Sequence, residues 1–522
     1  QSTVSSYRPP RTSPQCKFAL FDDKLRPIHG VEVDLDLSGV KPIRAHPYRW
    51  SPAKVAAGRK LIQEFVEEGI MEPITSEWGA PALGVPKPSG GWRLVSDLRE
   101  LNRHIPHDTY EPPSCDLCLE WLSGRRYRTT ADMRWGFHQV LLSERARKIF
   151  TLVTPFGTYA YKRLVMGYIN ATAEFQRHMN NTLGPALWDY CLSMVDDVII
   201  GSETKQEHRV HVASVFTRLA QRGHAIKPTK GHILRKIIEY LGHESTPFGT
   251  RPTKKHITAI MDMPPPLGEI GADGIRRADK TKVRSFLGFA KYQRRYIKNC
   301  GLLCGPLNEL TTDNSNGIWT SVHTMVFNRI KRDVANTRGV WHADFKLPFY
   351  VCSDGSKRGL GGYLFQMVDG EERIISYFSR STTREEREWD TRELELLAMI
   401  CTLEYFRHYV EGQKLFLQTD HRNLTWLANM KGRSDRLGRW VLRLSNFPHE
   451  LSYRKGVKMN VADCMSRNSV LDTGKGVKIL HAGTHMEQEE WQASQTPSQG
   501  EAAPAAHLGR ARADLFDDRL DQ

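Results

Sequence analysis

The chain has 522 residues, and 74 Lys+Arg against 59 Asp+Glu leave a formal net charge of +15 at pH 7, a balance that suits nucleic acid or an anionic membrane surface as partner. Hydrophobic residues make up 40%, the ordinary share of a soluble globular chain, and no apolar run approaches the roughly 18 residues of a membrane helix. At about 150 residues per domain the length predicts three or four domains, while nine scattered cysteines fit a reducing compartment better than a disulfide framework.

Residues 1–15 are polar, rich in Pro and Ser, and lack the apolar centre of a signal peptide. A Gln in first place suits a piece of a longer translation product. From Ser51 to Gly69 runs a helix pattern, with Ser at the cap, Pro in the first turn, apolar Leu61, Ile62, Phe65 and Val66, and a terminating Gly. Ala82–Val85 and Trp92–Val95 read as strands on either side of the turn PKPSGG, and Tyr127–Met133 as a third. Ala173–Leu183 reads as a helix and Leu192–Ile200 as two short strands around an acidic turn. This mixture predicts an α+β domain over the first 250 residues. A second region, from about Arg251 to Trp341, opens with the proline-rich MPPPLGEIGADG and carries a basic helix over Val283–Asn299. A third begins near Lys346, with a strand at Phe349–Ser353, a turn at Gly359–Gly362, a long amphipathic helix at Arg392–Val410 and a strand at Leu415–Thr419. After about Asn468 the pattern fades, and Glu487–Gln522 has the composition of a disordered tail.

Asp196 and Asp197, in LSMVDDVII, lie between apolar strand-type flanks. They read either as a solvated turn or as part of a divalent-cation site, because adjacent anions on a half-buried hairpin repel and a hard cation relieves that repulsion through oxygen ligands. Asp132, near the end of a predicted strand in TTADMRWGFHQ, is the candidate third carboxylate. Upstream, Lys87 and Arg93 in a basic hairpin are suited to gripping a triphosphate.

With these stretches assembled, the sequence resembles the polymerase of LTR retroelements, specifically the gypsy-type retrotransposons. The resemblance is carried in order by WGAPALGVPKPSGGWRLVSDLRELN, ADMRWGFHQV, LVMGYINATAEFQRHMN, MVDDVIIG, EYLGH and VRSFLGFAKYQRRYI, and an ordered series is far more specific than any one motif. It implies fingers, palm and thumb, with Asp132, Asp196 and Asp197 as the palm's metal-binding triad. It also implies nucleotide contacts at Lys87, Arg93, Met133, Phe137, Met166 and Gly167, and a primer grip at Leu241, Gly242 and His243. Phe137 occupies the steric-gate position, where its ring would crowd a ribose 2′-hydroxyl; plain core packing is the other reading of that ring. The sequence departs from the family at Met194, where Tyr is usual, at Thr172, where Pro is usual, and at Met166, where an aromatic or Gln is common.

Asp354 in VCSDGSKRGLGG, Glu395 in TRELELLAMI, Asp420 in LQTDHRNL and Asp463 in NVADCMSR are each unremarkable surface or capping acids alone. Together they resemble the four acids of the ribonuclease H domain that follows the polymerase in the same elements. Gly355 stands where family members often carry Ala, which reads as a mild change. Cys115-x2-Cys118 and Cys300-x3-Cys304 lack a second ligand pair at zinc-finger spacing. The basic helix reads as a solvated face or as a phosphate contact.

The expected fold is therefore an α+β multidomain chain: a right-hand polymerase followed by a ribonuclease H-like α/β domain with a mixed sheet. The expected segments are a leader over 1–39, fingers and palm over 40–250, thumb and connection over 251–345, the ribonuclease H-like domain over 346–468, and a tail over 469–522. The resemblance implies RNA- and DNA-directed DNA synthesis with hydrolysis of RNA in RNA–DNA hybrids. Two Mg²⁺ ions would serve each site, with Mn²⁺ as a substitute. Its partners would be an RNA template, a DNA primer, dNTPs and the hybrid, with no membrane, in an intracellular setting: the cytoplasm, with a virus-like particle or the nucleus as alternatives. The rival is a host-adopted or degenerate protein that binds nucleic acid without turnover, which predicts eroded ligands; all seven carboxylates are present.

Overall fold

Residues 20–21, 25–86, 90–270, 274–419 and 436–453 are described by the computed structural model, so Lys87, Asp420, Asp463, residues 1–19 and 22–24 of the predicted leader and the predicted tail lie outside the described residues. The rest of that leader is not an unpacked segment: Leu20, Ile28, Val33, Leu35 and Leu37 are buried in the core of the first unit. The described chain divides into two contact units, one ending at Lys236 and the other beginning at Ile237 and taking in Leu122–Gly124.

In the first unit a short strand at Glu32–Val33 pairs with Leu141–Leu142, and the first helix is α1 (Pro52–Glu67). Ser51 and Pro52 start it, and Gly69, at φ +66°, lets the chain reverse so that the Ile70 amide reaches back to the Phe65 carbonyl. Strands β1 (Met71–Pro73), β2 (Ala80–Pro86) and β3 (Trp92–Ser96) follow. Next come β4 (Tyr127–Asp132), β5 (Thr151–Thr154), β6 (Gly157–Tyr161), α2 (Ala171–Leu183), β7 (Cys191–Met194), β8 (Asp197–Ser202), α3 (Lys205–Gln221) and β9 (His232–Arg235). They make two sheets. One has the order β1-β6-β5-β2-β3, and the other is an antiparallel sheet in the order β9-β4-β8-β7. In the second sheet Leu192, Val198, Ile199 and Ile200 are completely buried, which explains why two strands of β-branched and aliphatic residues form where the sequence predicts them. Helix α3 begins on a reciprocal capping pair between Thr204 and Glu207.

The second unit starts with a small antiparallel sheet, β10 (Ile238–Tyr240), β11 (His243–Ser245), β12 (Gly249–Pro252) and β13 (Val340–Trp341). Helices α4 (Lys254–Asp262), α5 (Lys280–Tyr292) and α6 (Ser321–Ala335) share a core around Phe286, Leu287, Phe327 and Ile330. The predicted basic helix is shorter than expected: it ends at Tyr292, passes through a 3₁₀ turn over Arg294–Tyr296 and meets Asn299 in the left-handed region.

Then come β14 (Phe349–Gly355), β15 (Gly359–Val368), β16 (Glu371–Ser381), α7 (Thr391–Tyr405), β17 (Leu415–Thr419), α8 (Arg436–Ser445) and β18 (Glu450–Tyr453). The sheet order is β16-β15-β14-β17-β18, antiparallel across the first three and parallel across the last three, the mixed sheet that was expected. Gly359–Gly362, predicted as a turn, instead opens the central strand β15. Pairing on both sides overrides the turn propensity of its glycines, and Gly362 is needed because a Cβ there would stand 2.5 Å from the Thr402 side chain of α7. The predicted long helix ends at Tyr405, and a separate turn follows over Arg407–Val410. Among the described residues, no helix is long and apolar enough to cross a membrane.

Candidate active sites

Asp132 closes β4 and Asp197 opens β8, and the antiparallel register sets them directly opposite each other. Asp196 stands at the adjoining hairpin tip, and its carbonyl accepts from the Met133 amide at 2.9 Å. The three carboxylates predicted from separate stretches are thus brought to one end of one sheet. The tip is strained: Val195, a β-branched residue, sits at φ +56°, which persists only where the surroundings over-determine it. The buried Gln176 side chain of α2 supplies that constraint, accepting from the Val195 amide at 2.7 Å and donating to the Ser193 carbonyl at 2.9 Å.

Burial pushes the Asp197 carboxyl up to about 6, and repulsion by Asp196 and then Asp132 adds to it. Asp196 is raised too, first by burial and then by Asp132. Lys230 answers part of this charge: its Nζ lies 2.9 Å from Asp132 Oδ2. Among the described residues no group of three His, Cys, Asp or Glu side chains is arranged to hold a metal ion, and Asp132 is engaged with Lys230. The donor set still fits a divalent cation of the Mg²⁺ kind. It is all carboxylate oxygen, it comes from two adjacent strands, and its members hold one another's charge in an unfavourable state that a hard cation would relieve.

The loop after Asp132 carries Met133, buried, and Phe137, in a 3₁₀ turn over Gly136–Gln139. Gly136 is packed so closely that a Cβ would come 3.2 Å from Asp196 Cβ and 3.1 Å from Phe175 Cζ. Phe137 lies tilted on Phe175 with centroids 5.4 Å apart and packs against the core of the unit, which accords with the packing reading of its ring.

Met166 is 51% exposed, and Gly167, at φ +94°, turns the chain toward α2. This turn is tied to the β2–β3 side of the unit: Asn102 donates to the Gly167 carbonyl at 2.9 Å and accepts from the Ile169 amide at 3.0 Å. Arg93 is exposed on β3, opposite Val85. Among the described residues, the side chain that pairs with Asp132 is Lys230, not Arg93 or Met166. Thr172 sits inside the first turn of α2, which starts at Ala171, earlier than predicted, while the Asn170 side chain holds Asp108 and Pro106. Met194, in the place of the usual Tyr, has its sulfur 3.9 Å from Cys115 Sγ.

In the second unit Leu241 and Gly242 form a left-handed turn, at φ +45° and +69°. Tyr292 OH donates to the Leu241 carbonyl. The buried His243 pairs through Nδ1 with Tyr296 OH at 2.9 Å and stacks on Tyr292 at 5.0 Å. The predicted grip segment is therefore a rigid turn braced by α5 and its following 3₁₀ turn.

Asp354 on β14 and Glu395 on α7 are 4% and 5% exposed. Their elements meet at Gly355, where a Cβ would overlap the Leu394 carbonyl and stand 2.8 Å from the Glu395 amide. The structure thus brings these two acids to one strand–helix contact. It also corrects the mild reading of Gly355: with this backbone, Ala is excluded at that position. Sequence reasoning did not find Lys230, Gln176 or Asn102; each acts over a separation that no local pattern signals.

Residues 85–245 match the family described as reverse transcriptase (RNA-dependent DNA polymerase), and residues 344–447 match the RNase H-like domain found in reverse transcriptase. Over 471 residues the chain is 32% identical to the retrovirus-related Pol polyprotein from transposon 297 of Drosophila melanogaster, covering 88% of this chain and 43% of that protein. It is 26% identical to the transposon Tf2-3 polyprotein of Schizosaccharomyces pombe, covering 85% and 33%. The chain thus spans less than half the length of these relatives. In fold it is similar to a foamy viral protease-reverse transcriptase solved with dsDNA, with TM-score 0.67, 22% identity, and 84% and 92% of the two chains covered. The form solved with an RNA/DNA hybrid aligns with TM-score 0.66, 22% identity, and 88% and 59% covered.

Proposed function

We propose that this chain, a reverse transcriptase domain followed by a ribonuclease H-like domain similar to Pol polyproteins of LTR retrotransposons, is the corresponding part of such a polyprotein, copying RNA and DNA templates into DNA and cutting the RNA strand of hybrids. The observation that carries the reading is the direct pairing of Asp132 with Asp197 beside Asp196.

Divalent ions, when bound, would acidify a primer 3′-hydroxyl and neutralise the departing pyrophosphate. The carboxylates of Asp132, Asp196 and Asp197 would hold them. Their side-by-side placement on rigid strands leaves little geometry to reorganise. Phe137, fixed against Phe175, faces the sugar of the incoming nucleotide and selects deoxyribose by excluding a 2′-hydroxyl. Arg93, exposed on β3, meets the triphosphate from the fingers hairpin; Lys87, its candidate companion, lies outside the described residues. Leu241, Gly242 and His243 hold the primer end, with Tyr292 and Tyr296 keeping the turn in shape. In the ribonuclease H-like domain Asp354 and Glu395 are the described members of the candidate four-acid set; Asp420 and Asp463, the other two candidates, lie outside the described residues. The 2′-hydroxyls of the RNA strand identify its substrate.

The test is a paired assay on the full chain, with an RNA template, DNA primer, dNTPs and Mg²⁺ beside a labelled hybrid. Asp196→Asn/Asp197→Asn should abolish extension and leave hybrid cleavage. Glu395→Gln should do the reverse. A parent chain inactive in both assays yet still binding the hybrid would instead support the noncatalytic binding protein.

A further inference from the structure

Gln139 carries no charge and touches no carboxylate of the triad, yet it is completely buried and its amide is fully engaged. Nε2 donates to the Arg134 carbonyl at 2.6 Å and to the Ala225 carbonyl at 2.8 Å, and Oε1 accepts from the Ala225 amide at 3.1 Å. The first bond closes the loop 134–139 on itself. The other two fasten that loop to the returning segment 225–227, which is itself bonded to the triad strand: Arg134 N donates to Ala225 O and Lys227 N to Asp132 O, both at 2.9 Å.

Inside this ring are two residues whose placement matters. Trp135 is held at φ +51°, a left-handed conformation that non-glycine residues seldom adopt, and the carbonyl that Gln139 secures belongs to the residue just before it. Phe137 lies between the strained tryptophan and Gln139. An apolar side chain of equal length would fill the same space but leave two buried carbonyls and one amide without this partner, and the loop would then be free to relieve the strain.

We propose that Gln139 is a positioning residue for sugar selection: it sets the depth of Phe137 relative to Asp132, so that the ring meets a 2′-hydroxyl. This rests on the reading of Phe137 as the gate. A purely structural Gln139 makes a different prediction. Loss of fold reduces the amount of active protein and scales all substrates alike, whereas a displaced gate changes the ratio between them.

The experiment measures single-nucleotide kcat/KM for dCTP and CTP on one RNA template and DNA primer, for the full-length parent, Phe137→Val, Gln139→Met and Gln139→Glu, with Tm recorded for each. Gln139→Met should lower the dCTP/CTP selectivity at least tenfold, in the same direction as Phe137→Val. Equal losses for both nucleotides, with selectivity within twofold of the parent while Phe137→Val lowers it, overturn the proposal for Gln139 alone. An unchanged ratio in Phe137→Val refutes the gate, and the proposal falls with it. Should Gln139→Met fail to fold, Gln139→Glu, which keeps the shape and an acceptor for the Ala225 amide, is judged by the same ratio.

Discussion

Replacing Asp197 by Asn should make the protein more stable at neutral pH while removing extension. Its carboxyl is raised from the ordinary 3.8 to about 6 by burial and by its two acidic neighbours. At about 1.4 kcal/mol per pH unit, that displacement sets an upper bound near 3 kcal/mol on the penalty of the charged form. The side chain is only half-buried and solvent screens part of its field, so about 1–2 kcal/mol is the working figure. The sign follows from linkage: a carboxyl whose folded pKa lies above its unfolded value favours folding at low pH, and that contribution is lost as pH rises from about 4 through 6. Asn cannot ionise and escapes the penalty. In EDTA at pH 7.5 the Asp197→Asn variant should melt roughly 2–6 °C above the parent, the gap should close toward pH 4, and added Mg²⁺ should narrow it by stabilising the parent. A variant less stable than the parent at pH 7.5, or a gain independent of pH, would refute the reasoning.

Lys230→Met removes the cation beside Asp132, so the carboxylates should hold protons more tightly and the acid limb of the extension pH profile should move upward in pH; an unmoved limb contradicts the pairing. Gly355→Ala forces a methyl against the Leu394 carbonyl and should cost about 1–3 kcal/mol of stability, with hybrid cleavage down at least tenfold and extension within a few-fold of the parent, read in the paired assay. Tyr292→Phe removes the donor to the Leu241 carbonyl at a left-handed residue and should raise the KM for template–primer several-fold with little change in that for dNTP. With a net charge of +15, template–primer affinity should fall steeply and log-linearly with salt, as a filter-binding titration would register.

Much of this was legible in the sequence because the relevant elements are local. The hairpin around Asp196 and Asp197 is two apolar runs with a polar tip, and α1 is bracketed by Ser-Pro and Gly. What stayed hidden depends on contacts distant in the chain. Nothing near Gly359–Gly362 reveals that neighbours on both sides make it a strand. Nothing in VCSDGSK reveals that Gly355 sits on α7 and tolerates no methyl. Lys230 lies almost a hundred residues beyond the Asp132 it pairs with, and the amides of Gln139 and Gln176 look like any polar side chain until the backbones they hold are seen. The stretches that bring Asp132, Asp196 and Asp197 to one sheet end were thus legible in the sequence, and the residues that brace them were not.

The most direct test of the central claim is an anomalous difference map from crystals of the chain with template–primer, an incoming nucleotide and Mn²⁺. The account predicts manganese peaks within coordination distance of Asp132 and Asp197, with Lys230 released from Asp132. A complex with correctly seated nucleotide and no manganese at these carboxylates would contradict it.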